Sequence, residues 1–404
     1  MTISKVNNGV HKGQYKVRIQ PRDEITHKRI SIPVEYAQTK REATKIESQM
    51  WLKIQNGYNF SVADEYCSKC FKKYISEQFA QGRWSKKTYQ SWQYTSRVLN
   101  EYLSDMKMKD VNQVKIKKFI RRFAKDREIT INASSVVAKI LNHLRTFFKE
   151  YEGTIYTKNP VPLRALELFF RDDEISLSIE RYILNQDEID HLVDEIRRQI
   201  DKYGLEKSSS RLAIWVDVET GMRPQEIQAL KWNNLKKESN EVIFEISDSW
   251  SDVNKKANGH LKSRKKGEKR KTLPISKDLY LQKKKKKNVQ QEYLEKNKLV
   301  NANDFIFLNM TDYQKCQLGY PITQTSLNEM LKKLGQDIGI KPNGKRWSMY
   351  SLRHTTATKL ASIDGMNYSW AASRLGHTLN EFMRTYVHVD NDLNSQMMKL
   401  WKER

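Results

Sequence analysis

The stretch "ETGMRPQEIQALKW", residues 219–232, decides how this chain is read. Gly221 ends one helix, and Pro224 suits the first turn of the next. Arg223 therefore stands at a helix N-terminus, where orphan N–H groups and the helix dipole already favour an anion. Glu226, three residues on, is placed to hold the guanidinium in one rotamer. Ile227, Leu230 and Trp232 make the buried stripe. Alone, the stretch fits a structural Arg–Glu ion pair as well as an anion site.

The chain downstream shifts that balance. In "WSMYSLRHTTATKLAS" (347–362), Ser351 is expected to cap a helix with Arg353 and His354 in its first turn, and Leu352, Ala357, Leu360 and Ala361 facing inward. Two arginines from separate elements can clamp one phosphate with paired N–H donors. "RLGHTLNEFMRTYVH" (374–388) puts His377 just beyond a helix-stopping glycine and Tyr386 on the following helix. "GHLKSRKKGEKRKTLPIS" (259–276) reads as a hairpin with a basic tip, from which a lysine reaches outward. The local pattern does not say which lysine.

Composition says what such a clamp would meet. The chain has 404 residues and a formal net charge of +25, far beyond what solubility needs, which points to a polyanionic partner. Nucleic acid is the first candidate and an anionic membrane surface the second. No apolar run approaches the roughly 20 residues that span a bilayer, and "MTISKVNNGV" lacks the apolar core of a secretory signal, so a cytoplasmic protein is expected. Cys67, Cys70 and Cys316 make an odd count, against a disulfide framework. Cys67 and Cys70 have no second Cys or His pair nearby to complete a zinc site, so buried structural thiols are expected.

The fold class expected is multidomain and mainly α with small β-sheets. Residues 1–57 read as a small α+β unit: "GQYKVRIQ" (13–20) and "RISIPVEY" (29–36) alternate apolar and polar, and 39–57 has helical spacing. This piece holds 11 Lys+Arg against 5 Asp+Glu, a net +6, so its strands, through Lys16 and Arg18, could lie on DNA. Residues 58–155 read as four amphipathic helices with interleaved Lys and Arg. Residues 156–178, with two prolines, read as a linker. Residues 179–404 read as a mixed α/β domain with a tail helix, in which Leu393, Met397, Leu400 and Trp401 share a face. The "KKKKK" at 283–287 reads as a solvated, mobile helix face.

In order, the motifs are R-x-x-E, a lysine, Y-x-L-R-H, L-G-H and a tyrosine with histidine two residues later. This series resembles the tyrosine recombinase (phage integrase) family, and the resemblance spans residues 180–404. The helical bundle looks like that family's core-binding domain. The N-terminal unit looks like the arm-binding domain of integrases from temperate phages and conjugative transposons.

The resemblance implies a site-specific DNA recombinase that cuts and rejoins DNA through a 3′-phosphotyrosyl intermediate, integrating and excising a mobile element. It implies Tyr386 as nucleophile, Arg223 and Arg353 as the phosphate clamp, His377 on a non-bridging oxygen, and Glu226 and His354 in support. A lysine of the basic hairpin would protonate the 5′-oxygen: Lys262 is the first choice, then Lys265 and Lys266, which otherwise bind DNA. No cofactor, metal or ATP is implied. The partners implied are core-type and arm-type double-stranded attachment sites, a homotetramer in the synaptic complex, a DNA-bending protein and an excisionase, with no membrane. The setting implied is the nucleoid of a prokaryotic host.

Where the family usually has histidine three residues before the second arginine, this chain has Tyr350. Its hydroxyl can donate a hydrogen bond to phosphate but is a poor base near neutral pH. A type IB topoisomerase shares the constellation; the L-G-H box and the basic N-terminal unit favour the recombinase. A non-catalytic DNA-binding regulator on this fold would be expected to lack an arginine or the tyrosine.

Overall fold

The computed structural model describes residues 2–22, 27, 29, 32–262, 266–387, 398 and 402. The chain forms two compact units, Met1–Ser178 and Ile179–Arg404. It is mostly helical, with small antiparallel sheets.

The first unit opens with a three-stranded antiparallel sheet in the order β1 (Ile3–Lys5), β2 (Tyr15–Val17), β3 (Glu35–Ala37). Helix α1 (Lys40–Gln55), capped by Thr39, packs on it. Strand alternation sends Val17, Ile19 and Ala37 inward against Ala43 and Met50 of α1. Lys16 and the exposed Arg18 therefore lie on the opposite face, where Lys16 pairs with Tyr36 and Tyr36 stacks on His11 at 3.8 Å.

Then follow α2 (Phe60–Asp64), α3 (Cys67–Ala80), α4 (Lys86–Leu103), α5 (Gln113–Asp126) and α6 (Val136–Lys149). Ser85, Asn112 and Ser135 cap the last three through their side-chain oxygens. The apolar stripes of α3–α6 close one core around Phe71, Trp92, Phe123 and Phe147. Cys67 and Cys70 are buried in it, and burial pushes both thiols up. The expected linker is different in structure. Val161, Ala165 and Phe169 insert into the bundle core, and α7 (Ala165–Phe169) forms within it. Asn159 explains the anchoring: its amide donates to the Arg145 carbonyl, and its Oδ1 accepts from the Val161 N–H.

The second unit is built around α9 (Ser209–Thr220), which contacts α8 (Gln186–Tyr203), α13 (Gln324–Asp337) and α14 (Met349–Ala361). Between α9 and α13 the chain runs through α10 (Pro224–Gln228), β4 (Leu235–Glu238), β5 (Glu241–Ile246), β6 (Trp250–Ser251), β7 (Lys256–Ala257), β8 (Arg270–Lys271), α11 (Lys277–Lys296) and α12 (Tyr313–Gln317). It then ends through α15 (Tyr368–Leu375) and α16 (Leu379–Tyr386).

Three expectations change here. The basic segment is not one hairpin: β6 pairs with β7, whereas β8 pairs with β5 in a β4-β5-β8 sheet. The described residues between β7 and β8, 258–262 and 266–269, belong to no strand. The five-lysine run is not all solvated, because Lys283 and Lys286, three apart, fall on the inward face of α11. The Lys283 ammonium lies 3.6 Å from the Phe244 ring centroid, and Lys286 donates to the Leu205 carbonyl and the Ser209 hydroxyl, both at 2.9 Å. Burial pushes Lys286 down to about 7. Finally, α14 begins before Ser351, with Ser348 as its cap and Ser351 Oγ accepting from the Ser348 N–H. Arg353 therefore lies past the first turn and does not share orphan N–H groups. The expected tail helix falls outside the described residues, apart from Met398 and Lys402.

Candidate active site

The second unit gathers Arg223, Glu226, Arg353, His377 and Tyr386, which are up to 163 residues apart in sequence, around two helix ends. The first is the α9–α10 turn. Gly221 stops α9 with φ +59°, and a Cβ there would lie 2.9 Å from Leu375 Cδ2 and 3.1 Å from Thr356 Cβ. Only glycine permits that approach. Arg223 then caps α10, with its backbone N–H donating to Glu226 Oε2 at 2.9 Å.

The second is the C-terminus of α15, whose last carbonyls are unsatisfied within the helix. The Gly376 carbonyl accepts from Arg223 Nη2 at 2.8 Å, and the Leu375 carbonyl from Arg353 Nη2 at 2.6 Å. Arg353 Nη1 also donates to the Gly221 carbonyl at 2.7 Å. Arg353 is thus fixed by backbone from both sides, and Arg223 by the Gly376 carbonyl on one side and the Glu226 carboxylate on the other. Arg353 is 2% exposed and Arg223 9%. Burial, and next the charge of Arg223, push Arg353 down to about 10, so it is still a cation at neutral pH.

His377 follows the same turn. Its Nε2 accepts from Arg353 Nη2 at 2.7 Å, which places the ring proton on Nδ1. Nδ1 is buried and has no hydrogen-bond partner among the described residues. Burial first, then Arg353 and Arg223, push this imidazole down to about 3, so it is neutral.

Tyr386, the last residue of α16, is 7% exposed and shares the buried face of that helix with Phe382. Its ring stacks on His377 (centroids 5.6 Å apart) and meets His354 edge-on at 5.3 Å. Burial raises its hydroxyl, and Arg353 is the main charge opposing that rise. Burial, then Arg181 and Arg353, push His354 down to about 4.

The other candidates make no hydrogen bond or ring contact with this group among the described residues. Tyr350 is half-buried under the Arg181 guanidinium, 5.1 Å above its ring. Lys262 and Lys266 are exposed on the 258–269 loop, and Lys265 lies outside the described residues.

Three charged residues were missed in sequence. Arg270 is 3% exposed and donates to Glu226 Oε2, so one carboxylate serves two guanidiniums. Burial alone would raise Glu226, but Arg270 and then Arg223 hold it below its ordinary range. The available signal was alternation, since Arg270 and Thr272 are buried around the exposed Lys271, but the surrounding basic run hid it. Asp217 is fully buried with both oxygens unpartnered among the described residues, and burial pushes it well up. A lone acid in the apolar run "LAIWVDV" was its signal. Arg181 had none.

The arrangement offers two cations with N–H groups to spare, since the bonds described engage two of five donors on Arg223 and three on Arg353. Beside them lies Tyr386, whose ring is buried against His377. Such a pocket suits a tetrahedral oxyanion.

The sequence model of the phage integrase family matches residues 183–392, and that of the phage integrase SAM-like domain matches residues 67–167. No curated protein sequence matches the chain. Among solved structures, the chain is similar to the Tn1549 transposon integrase in complex with a circular intermediate DNA, with 19% identity over 83% of this chain and 99% of that one and a TM-score of 0.63. It is similar to the XerH site-specific recombinase bound to a palindromic difH substrate, with 17% identity, 91% and 90% coverage and a TM-score of 0.57. It is also similar to lambda integrase, from a tetramer bound to a Holliday junction, with 15% identity, 96% and 97% coverage and a TM-score of 0.53.

Proposed function

Since the chain belongs to the phage integrase family, and is thereby a tyrosine site-specific recombinase acting on DNA, we propose that its chemistry is carried out by the Arg223–Arg353–Tyr386 pocket. The observation that carries this reading is the convergence of both guanidiniums on one helix end, beside the buried ring of Tyr386.

The scissile phosphate enters between the two arginines. Tyr386 Oη attacks phosphorus, the bond to O5′ breaks, and a 3′-phosphotyrosyl link forms. The phenol has an ordinary value of about 10 and gives up its proton to solvent water as that bond forms, so it depends on nearby positive charge. Arg223 and Arg353 supply that charge and stabilise the extra charge on the phosphoryl oxygens; preorganised donors of this kind are typically worth about 10²–10³ in rate. His377 donates its Nδ1–H to a non-bridging oxygen, and Tyr350 donates its hydroxyl. Glu226 holds Arg223 in place. A lysine of the 258–269 loop, first Lys262, protonates the departing 5′-oxygen. The covalent link conserves the bond energy, and a 5′-hydroxyl from the partner strand reverses the step.

In the same reading, residues 58–155 grip the core site. The outer face of the N-terminal sheet, with Lys16 and Arg18, meets arm-type DNA. Four copies exchange strands pairwise, assisted by a DNA-bending protein and an excisionase, and the reaction integrates and excises a mobile element. No described helix is long and apolar enough to cross a membrane, and action at the nucleoid follows from the substrate.

The test is recombination in vitro between two DNAs carrying the attachment repeats that flank the gene, without ATP. Exchanged products support the reading, and loss of exchange with core-site cleavage spared on deleting residues 1–57 supports the arm-binding role. Supercoil relaxation without exchange would instead indicate a topoisomerase.

A further inference from the structure

Three consecutive carbonyls at the end of α15 each hold one guanidinium. Arg374 accepts from Arg270, Leu375 from Arg353 at 2.6 Å, and Gly376 from Arg223 at 2.8 Å. A C-terminal helix end is the negative pole of the helix dipole, which favours this clustering of cations. Arg270 and Arg223 crowd so closely on Gly376, at φ +72°, that an added Cβ would clash with them. A Cβ there would lie 2.9 Å from Arg270 Nε, 3.0 Å from Arg270 Cδ and 3.2 Å from Arg223 Nη1.

Arg270 differs from the other two in where it comes from. It sits on β8, where it pairs with Ile246, immediately after the loop that carries Lys262 and Lys266. It is also more buried than Arg223, behind the carboxylate of Glu226 that both share. Resting on the catalytic reading above, we propose that Arg270 is a positioning residue for strand cleavage. It couples the lysine loop to the phosphate clamp, setting Arg223 through Glu226 and the His377 turn through the Arg374 carbonyl. A pull on the loop by DNA then reaches the clamp through one side chain. Arg270 does not contact the substrate itself.

The test compares wild type, Arg270→Lys and Gly376→Ala as full chains. Each is assayed for DNA affinity and for single-turnover cleavage of suicide substrates. The scissile position carries a natural phosphate, a 5′-phosphorothiolate or an uncharged methylphosphonate. Arg270→Lys is expected to bind DNA normally and cut the natural phosphate roughly 100-fold more slowly, the scale of an ångström-sized misplacement. The defect should persist on the phosphorothiolate, which needs no leaving-group proton, and shrink on the methylphosphonate, where the clamp has less charge to meet. Gly376→Ala crowds both Arg270 and Arg223 from the other side and should give the same pattern.

Wild-type rates in both variants, or equal losses on all three substrates, would overturn the inference, as would rescue by the phosphorothiolate. The site reading is judged separately: it falls if Tyr386→Phe still forms the adduct. If that variant is inactive while Arg270→Lys cuts normally, only the role of Arg270 is lost.

Discussion

Arg353 Nη2 donates to His377 Nε2 at 2.7 Å, so the arginine fixes the histidine tautomer and leaves its proton on the buried Nδ1. An unpaired buried donor is costly, and a phosphate oxygen would satisfy it. His377→Phe keeps a ring stacked on Tyr386 and removes both nitrogens. Single-turnover cleavage should fall by roughly 10²-fold with DNA affinity unchanged. A rate near wild type would show that the imidazole only fills space.

Glu226 is 2% exposed and ion-pairs with both Arg223 and Arg270. Removing one partner of a buried ion pair typically costs about 3–5 kcal/mol because the other charge is left uncompensated. Glu226→Gln should lower the urea midpoint of the second unit accordingly. An unchanged midpoint would mean the arginines find other acceptors.

The histidines set an acid limit. His143, His354 and His377 are pushed by burial to about 4, about 4 and about 3. The unfolded chain takes up protons on these rings near pH 6.5, while the folded chain refuses them until pH 3–4. The unfolded state therefore binds more protons across that window, and stability falls as pH drops from about 6.5 towards 4. Thermal unfolding between pH 7 and pH 4.5 should show this fall, and His143→Asn and His354→Asn should flatten it. A midpoint independent of pH would contradict it.

Much of this was legible from the chain because it is local. Gly221, Pro224 and the Arg223–Glu226 spacing define a helix break and a cap without reference to anything distant. The Gly376 stop, with Tyr386 on the helix that follows it, is equally local. What stayed hidden depends on tertiary partners. Lys283 and Lys286 are buried because an aromatic ring and a carbonyl await them, and a run of five lysines carries no mark of that. Arg270 was masked by the basic run around it, although it lies on the buried side of a strand. The pairing of β8 with β5, and not with β7, could not be read from turn chemistry. Residues 156–178 looked like a linker because of their prolines, yet Val161 and Phe169 within them are fully buried.

Lys262 is exposed in the structure, on a loop preceding β8. If it protonates the leaving oxygen, Lys262→Ala should cut natural DNA slowly and recover on a 5′-phosphorothiolate. A thiol leaving group, with an ordinary value of about 8.5, departs without that proton. The same pattern in Lys265→Ala or Lys266→Ala would move the role along the loop.

The central claim concerns one oxygen atom. Tyr386→Phe removes it and leaves the buried ring in place. On a nicked suicide substrate, the wild-type chain should accumulate a covalent protein–DNA complex on a denaturing gel. Tyr386→Phe should bind the same DNA and form none. A persistent adduct in that variant would contradict the account, because another residue would then be the nucleophile.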